Sequence, residues 1–481
     1  MKTIDLEQLA EKVMEEHGLD PTFPREVIEQ LNRINEPAQP GPKTVDMKDL
    51  LWCSIDNDDS LDLDQLTYAN KGDDGKFHLF VAIADVDALV FLKTAIDVHA
   101  SRNTTSVYTP AKVFPMLPTK LSTDLTSLNE GVDRVAIVVR ADIAPSGEIL
   151  GGDICQAVVK NYAKLAYNGV AKWLDGDVVL EKVDAVAGLA DNLRLQNEIA
   201  QKIREKRHAM GALTLDPVDV EAKVVDRTQI LLEQPAQNLA QQLIENFMIA
   251  ANHVIATKLR DAKIPSLRRV VKVPKNWPRI VEVALVLGEK LPEEPDAKAL
   301  ENFLVRRKAA APDLFPELSL TIVKLLGRGE YIVESPGEKP VGHFGLALSE
   351  YTHSTAPNRR YPDIISQRQY KALIFGKQNP YSLEEIRKIA DHCTAQEDAA
   401  NKVERHLTKS AAALLLSSQI GRTFQGIITG INEHGIWGRV IEPPVEGKIV
   451  NGATRLNVGD KVLLELVSVD VEKGFINFNA L

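Results

Sequence analysis

Between Ser54 and Leu66 the chain reads SIDNDDSLDLDQL, which puts Asp56, Asp58, Asp59, Asp62 and Asp64 within nine positions beside an apolar strand. Carboxylates this dense repel one another unless cations sit among them. Mg2+ and Mn2+ prefer oxygen ligands, and a pair of such ions can activate water and stabilise a leaving oxygen in phosphoryl transfer. A calcium loop of the EF-hand kind needs Gly at its sixth position and Glu at its twelfth, where this chain has Leu61 and Thr67. Taken alone, the segment leaves a solvated Asp-rich turn open as the other reading.

A second chemical feature lies far downstream, where Arg359 and Arg360 stand together in STAPNRRYPDI. A forked guanidinium meets two phosphate oxygens at once, which an ammonium cannot do. Further basic groups gather at Lys258, Arg260, Lys263, Arg268, Arg269, Lys272 and Lys275, and at Arg306, Arg307 and Lys308. The formal net charge is nevertheless −10, so a polyanion would have to be met by a local basic channel rather than by the whole surface. Any single cluster is also readable as solvated surface charge, and an isolated Arg-Arg pair as a salt-bridge feature.

These groups need a scaffold, and 481 residues are enough for two to four domains with real cores. Apolar residues make up 44% and charged residues 26%, the balance of a globular chain. The amphipathic, acidic start MKTIDLEQLAEKVMEEHGL lacks the basic flank and apolar run of a signal peptide, and no apolar run is long enough to span a bilayer. Three separated cysteines, Cys53, Cys155 and Cys393, exclude a disulfide framework and a zinc cluster. A reducing, cytoplasmic setting and a monomer are expected.

Residues 1–42 read as a small helical unit. Leu6, Leu9, Val13 and Met14 follow a helical period after Asp5, a second short helix runs from Thr22 to Ile34, and NEPAQPGPK reads as a linker. Two helices of this length could belong to a helix-turn-helix-like fold, although the segment is acidic and shows no recognition-helix chemistry. From 43 to 415, strand-like runs such as FHLFVAIADV and RVAIVVRADI alternate with long helical ones without a break, predicting one large α+β domain. From 420 to 481 five short strands with glycine-rich turns predict a small all-β barrel.

The motifs together resemble the catalytic domain of the RNase II / RNase R (RNB) family. Ile55-Asp56 and Asp62-Leu63-Asp64 are similar to its signature, with Gln65 where the family has a final aspartate. The segments TSVYTPAKVFPMLPTKLSTDLTSLN, GALTLD and LIENFMIAAN resemble its later landmarks in order, and HFGLALSEYTHSTAPNRRYPDIISQR resembles its second signature, with Ala356, Asn358 and Gln367 departing from the commonest residues. The resemblance implies that Asp56, Asp62, Asp64 and Gln65 surround Mg2+, or Mn2+ in its place. It also implies that Asp64 is most directly needed for cleavage and that Arg359 stabilises the transition state. Tyr108 matches an aromatic that stacks on 3′-terminal bases, Arg360 stands with the RNA-binding groups, and Glu404 resembles a glutamate that touches the terminal sugar. Glu404 is equally readable as a solvated surface residue.

The C-terminal strands resemble the S1 type of OB fold, with Gly426, Gly435 and Asp470 at suitable places and Phe424, His434 and Trp437 as a stacking platform; a generic barrel with core aromatics is the alternative. Relatives in the resembled family carry cold-shock domains ahead of the catalytic domain, and residues 1–42 leave no room for one. The implied activity is metal-dependent, processive 3′-to-5′ hydrolysis of single-stranded RNA to nucleoside 5′-monophosphates. Two rivals stay open. Gln65 could mark a catalytically weak or dead domain that only binds RNA, and a metal-dependent DNA exonuclease would show similar carboxylates.

Overall fold

The computed structural model describes residues 4–481 apart from 217–220, 225–229, 234–236, 433, 453–455 and 457. Period-2 alternation in the strands organises the catalytic region. The strands are β1 (Val45–Asp46), β2 (Cys53–Asp56), β3 (Gln65–Lys71), β4 (Phe77–Ala84), the short pair β5 (Val107–Tyr108) and β6 (Val113–Phe114), then β7 (Asp133–Ile143), β8 (Ile149–Lys160) and β9 (Ala163–Ala166). Seven of them form one sheet in the order β1-β8-β7-β4-β3-β2-β9, while β5 and β6 form a separate hairpin. In β4, Leu79, Val81 and Ile83 face one core and Ala82 and Ala84 the other; antiparallel register aligns Val81 with Val139 and Ala82 with Val138. A sheet apolar on both faces needs cover on both.

Helices supply that cover. The first are α1 (Leu6–Glu16), α2 (Arg25–Leu31) and α3 (Ala95–Asn103); α4 (Tyr167–Leu174), α5 (Glu181–Asp184), α6 (Leu189–Met210) and α7 (Leu239–Asp261) follow. On one face α4, α6 and α7 bury Val170, Leu193, Ile203, Phe247 and Ile255 against the sheet. The capping box Asn238/Gln241 starts α7, and Gly211 in the left-handed region ends α6. After a short pair, β10 (Glu221–Val224) and β11 (Ile230–Glu233), the strand β12 (Ser266–Val270) pairs with β13 (Glu330–Glu334). Between those two strands α8 (Trp277–Val286), α9 (Ala297–Ala310) and α10 (Phe315–Leu326) make a separate core around Trp277, Phe303 and Phe315.

The opposite face is closed by α2, α3, α11 (Tyr361–Ile374) and the first half of α12 (Leu383–Leu416). The 34-residue α12 begins in a Ser382/Glu385 capping box and runs on to the C-terminal strands. Those strands, β14 (Thr423–Asn432), β15 (Gly435–Val440), β16 (Glu446–Asn451), β17 (Lys461–Asp470) and β18 (Phe475–Ala480), close a five-stranded barrel in the order β14-β15-β16-β18-β17. Gly426 permits the closure, because a Cβ there would lie 2.9 Å from the Arg439 carbonyl oxygen. The α+β class and the closed C-terminal barrel are as expected.

The two N-terminal helices do not share a core of their own, as a helix-turn-helix-like unit would require. The apolar stripe of α1 joins the core formed by the second half of α12 and the barrel, whereas Val27 of α2 joins the core under the sheet. Among the described residues no helix is long and apolar enough to cross a membrane.

Candidate active site

Asp64 lies just before β3, where its carbonyl accepts from Ala84 and continues the ladder with β4. That anchoring fixes a carboxylate that is only 2% exposed. Oδ1 accepts from the Asn358 backbone N–H at 2.9 Å, and Oδ2 stands 3.6 Å from Nε of Arg359. Burial pushes the Asp64 carboxyl up to about 8, Arg359 opposes the shift, and the neighbouring Asp62 adds to it. Burial likewise raises Asp62, with Arg359 and the Tyr108 hydroxyl opposing and Asp56 reinforcing. Asp56 closes β2 and accepts from the Asn57 N–H at 2.7 Å and the Ser60 hydroxyl at 2.8 Å. Asp56, Asp62, Asp64 and Arg359 therefore share one electrostatic site. Gln65 opens β3 in register with Ile83 and is buried.

The loop that carries Arg359 is held from three sides. Asp363 in the first turn of α11 accepts from the Ala356 N–H at 2.8 Å and pairs with Arg360 at 2.7 Å. Residues after α3 supply the second hold: Ser106 N–H donates to the Arg359 carbonyl at 2.9 Å, and Tyr361 N–H to the Thr104 carbonyl at 2.8 Å. The third is ionic. Arg368 of α11 meets Asp87 and Asp97, each at 2.8 Å, and Lys371 meets Asp85 at 2.6 Å. Such buried pairs fix orientation more than they add stability. The outcome leaves the Arg359 side chain 44% exposed beside the buried Asp64.

Tyr108 ends β5 with its ring 44% exposed and its hydroxyl beside Asp62. Its backbone N–H donates to Glu404 of α12 at 2.8 Å. Burial raises the Glu404 carboxyl, and that N–H contact opposes the rise, so Glu404 is half-buried on α12. Burial also raises Tyr167, which sits at the start of α4 within the fields of Asp56 and Arg359.

Several expected binding residues are placed elsewhere. Arg360 turns inward onto Asp363, with its side chain 20% exposed, and is a structural cation rather than an RNA contact. Phe424 is 6% exposed and lies inside the barrel, so it cannot present a ring to a base; barrel alternation sends its side chain inward with Leu464 and Phe478. His434 is exposed in the turn before β15, and Trp437 is half-buried within that strand. The basic clusters are largely neutralised. Lys258 pairs with Asp153, Arg260 and Arg268 with Glu350, Arg269 with Glu397, Lys272 with Glu330, Arg306 with Glu289 and Lys308 with Asp216. Sequence reasoning missed Asn358, whose backbone donor fixes Asp64 and whose side chain accepts from Thr126 at 2.6 Å; its one signal is its departure from the second signature. It also missed Tyr167, for which the sequence carries no signal.

Among the described residues no three His, Cys, Asp or Glu side chains converge as a protein-only metal cage requires. Mg2+, however, is ordinarily held by one or two carboxylates together with water and substrate phosphate. The donor set fits that mode, since Asp62 is close enough to both Asp56 and Asp64 for like charge to disfavour ionisation, and a cation would lift that repulsion.

Residues 44–376 match the RNB domain, and residues 422–481 match the RNase II-type exonuclease C-terminal S1 domain. The chain belongs to the RNB family. Its RNB relatives include ribonuclease R of Escherichia coli, 31% identical over 457 residues that cover 90% of this chain and 54% of that protein. Ribonuclease R of Aquifex aeolicus is 30% identical, covering 97% and 69% respectively. The chain spans about half the length of the first curated relatives it matches. Mycoplasma genitalium RNase R, solved with double-stranded RNA, superposes with a TM-score of 0.88 at 25% identity, over 99% of this chain and 83% of that one. The same protein with ribose-methylated single-stranded RNA gives 0.89 at 24%, covering 99% and 78%. A yeast pseudonuclease shares the fold at 15% identity, with a TM-score of 0.73 over 96% of this chain and 57% of that one.

Proposed function

We propose that this RNB protein is a 3′-to-5′ exoribonuclease that hydrolyses single-stranded RNA processively to nucleoside 5′-monophosphates in the cytoplasm, acting as a monomer in RNA turnover or processing. One observation carries the reading: a half-exposed Arg359 beside the buried Asp64, with Asp62 and the Tyr108 hydroxyl beside them. A divalent cation, Mg2+ or Mn2+, held by Asp56, Asp62 and Asp64 with a weaker contribution from Gln65, would activate water and neutralise phosphate charge. Asp64, fixed by the Asn358 N–H, presents Oδ2 beside Arg359, and a bound cation would favour its ionised form. Arg359 offers two N–H groups to the equatorial oxygens as charge develops, and the bond to the penultimate 3′ oxygen breaks. Tyr108 stacks on a terminal base whatever its identity. Glu404, whose carboxylate already accepts from Tyr108 N–H, is positioned to accept from a terminal 2′-OH as well. Trp437 and His434 of the barrel guide the strand upstream.

A digest of matched RNA and DNA oligomers tests the substrate class. RNA should be shortened and DNA resist, and Glu404→Ala should narrow the difference; equal digestion would favour a DNA exonuclease. The rival of a domain that only binds RNA rests on Gln65 and predicts no cleavage at any Mg2+ concentration.

A further inference from the structure

The helix α1 and the connection that leads from it to α2 have no part in the chemistry above, yet their contacts converge on the two segments that grip the RNA end. The apolar face of α1, with Leu9, Val13 and Met14 buried, packs on the stretch of α12 around Val403 and Leu407, which flank Glu404. Glu11, on the same helix, meets Lys112 Nζ at 2.6 Å. Lys112 lies in the tight turn of the β5–β6 hairpin, where its carbonyl accepts from both the N–H and the hydroxyl of Thr109. Tyr108 is the residue before that turn. So α1 supports the strand that presents the ring and the helix that presents the carboxylate.

The connection from α1 to α2 makes a second brace. Asp20 N–H donates to the Asn103 side chain at 2.8 Å, and the Asn103 amide returns a bond to the Asp20 carbonyl at 2.8 Å. Asn103 is 2% exposed and immediately precedes Thr104, whose φ is +60°. A β-branched residue is strained there and persists only where its surroundings fix it. The strained turn is the segment whose carbonyl takes the Tyr361 N–H and whose continuation bonds the Arg359 carbonyl.

We propose that the α1–α2 segment is a positioning element for the RNA 3′ end, with Glu11 bracing the Tyr108 hairpin and the Asp20 backbone bracing Asn103 and the strained turn beneath Arg359. The inference rests on the exoribonuclease reading and adds to it which residues outside the cleft set the grip on the terminal nucleotide. These residues touch neither substrate nor reacting atoms. Their loss loosens end binding, and an RNA long enough to reach the barrel masks the loss by holding on elsewhere.

The test compares Asn103→Ala, Glu11→Lys, and Glu11→Lys combined with Lys112→Glu in the full chain. Each is assayed on a very short oligoribonucleotide, which reaches only the end site, and on a long single strand. Asn103→Ala should raise KM for the short substrate about tenfold, the scale of a 1.4 kcal/mol change, while kcat at saturation and KM for the long one stay within about twofold. Glu11→Lys should shift the short-substrate KM the same way by a smaller factor, and the double swap should restore it. Glu11 and Lys112 are surface groups, so those variants fold even if Asn103→Ala does not. Unchanged short-substrate KM in Glu11→Lys, or no restoration by the swap, would overturn the proposal. Absence of RNA cleavage by the natural protein would instead overturn the activity on which it rests.

Discussion

Replacing Asp64 by Asn should make the cation-free protein more stable while abolishing cleavage. The carboxyl ionises at 3.8 in an unperturbed chain and at about 8 in the fold, chiefly because it is buried. At 1.36 kcal/mol per pKa unit, folding with this group costs about 4 kcal/mol at pH 7. Asn carries no such cost and keeps an oxygen to accept the Asn358 N–H, found at 2.9 Å. The 3.6 Å pairing with the half-exposed Arg359 is already contained in that cost, because Arg359 opposes the rise. The expected net gain is therefore up to about 4 kcal/mol. The sign with pH follows from proton uptake: between 3.8 and about 8 the folded state binds more protons at this site than the unfolded one. The contribution of Asp64 therefore becomes less favourable as pH rises through that window. Denaturation in EDTA, followed by tryptophan fluorescence across that range for both proteins, checks this. A variant no more stable than the natural chain, or a gain that does not grow with pH, would refute the burial argument.

Arg359→Ala should lower single-turnover cleavage by roughly 10²–10³-fold, the scale of losing a donor to a developing charge, and unchanged kinetics would remove it from the mechanism. Gln65→Asp should shift the Mg2+ titration of activity to lower concentration, since an amide ligates without charge; activity only in the Asp variant would favour the domain that merely binds RNA. Trp437→Ala should weaken long-RNA binding by about 1–3 kcal/mol if the ring stacks on a base, with single-turnover cleavage at saturation unaffected, as titration by anisotropy would show.

The legible part of the site is the part written locally. The run of five short strands with glycine-rich turns is legible by itself, and the five aspartates in nine positions become so once the family signature is matched. What was not legible depends on pairing across the fold. Arg359 and Arg360 are adjacent and chemically alike, and only the position of Asp363 at the start of α11 decides which turns inward. Phe424 reads as a platform or as core until barrel closure sets its direction. The basic clusters looked like a channel because their acidic partners lie far off, Glu397 for Arg269 among them. The apolar stripe of α1 was visible, but its partner, the second half of α12, comes nearly 400 residues later.

In the proposed mechanism Asp64 and Arg359 cut RNA from its 3′ end with a divalent cation. The most direct measurement follows single-stranded RNA labelled at its 5′ end, incubated with the purified protein in Mg2+ or in EDTA, and resolves the products by length. Stepwise shortening with release of nucleoside 5′-monophosphates is expected in Mg2+, none in EDTA and none with Asp64→Asn. Internal fragments from a circular RNA, or full activity in the Asp64→Asn variant, would contradict it.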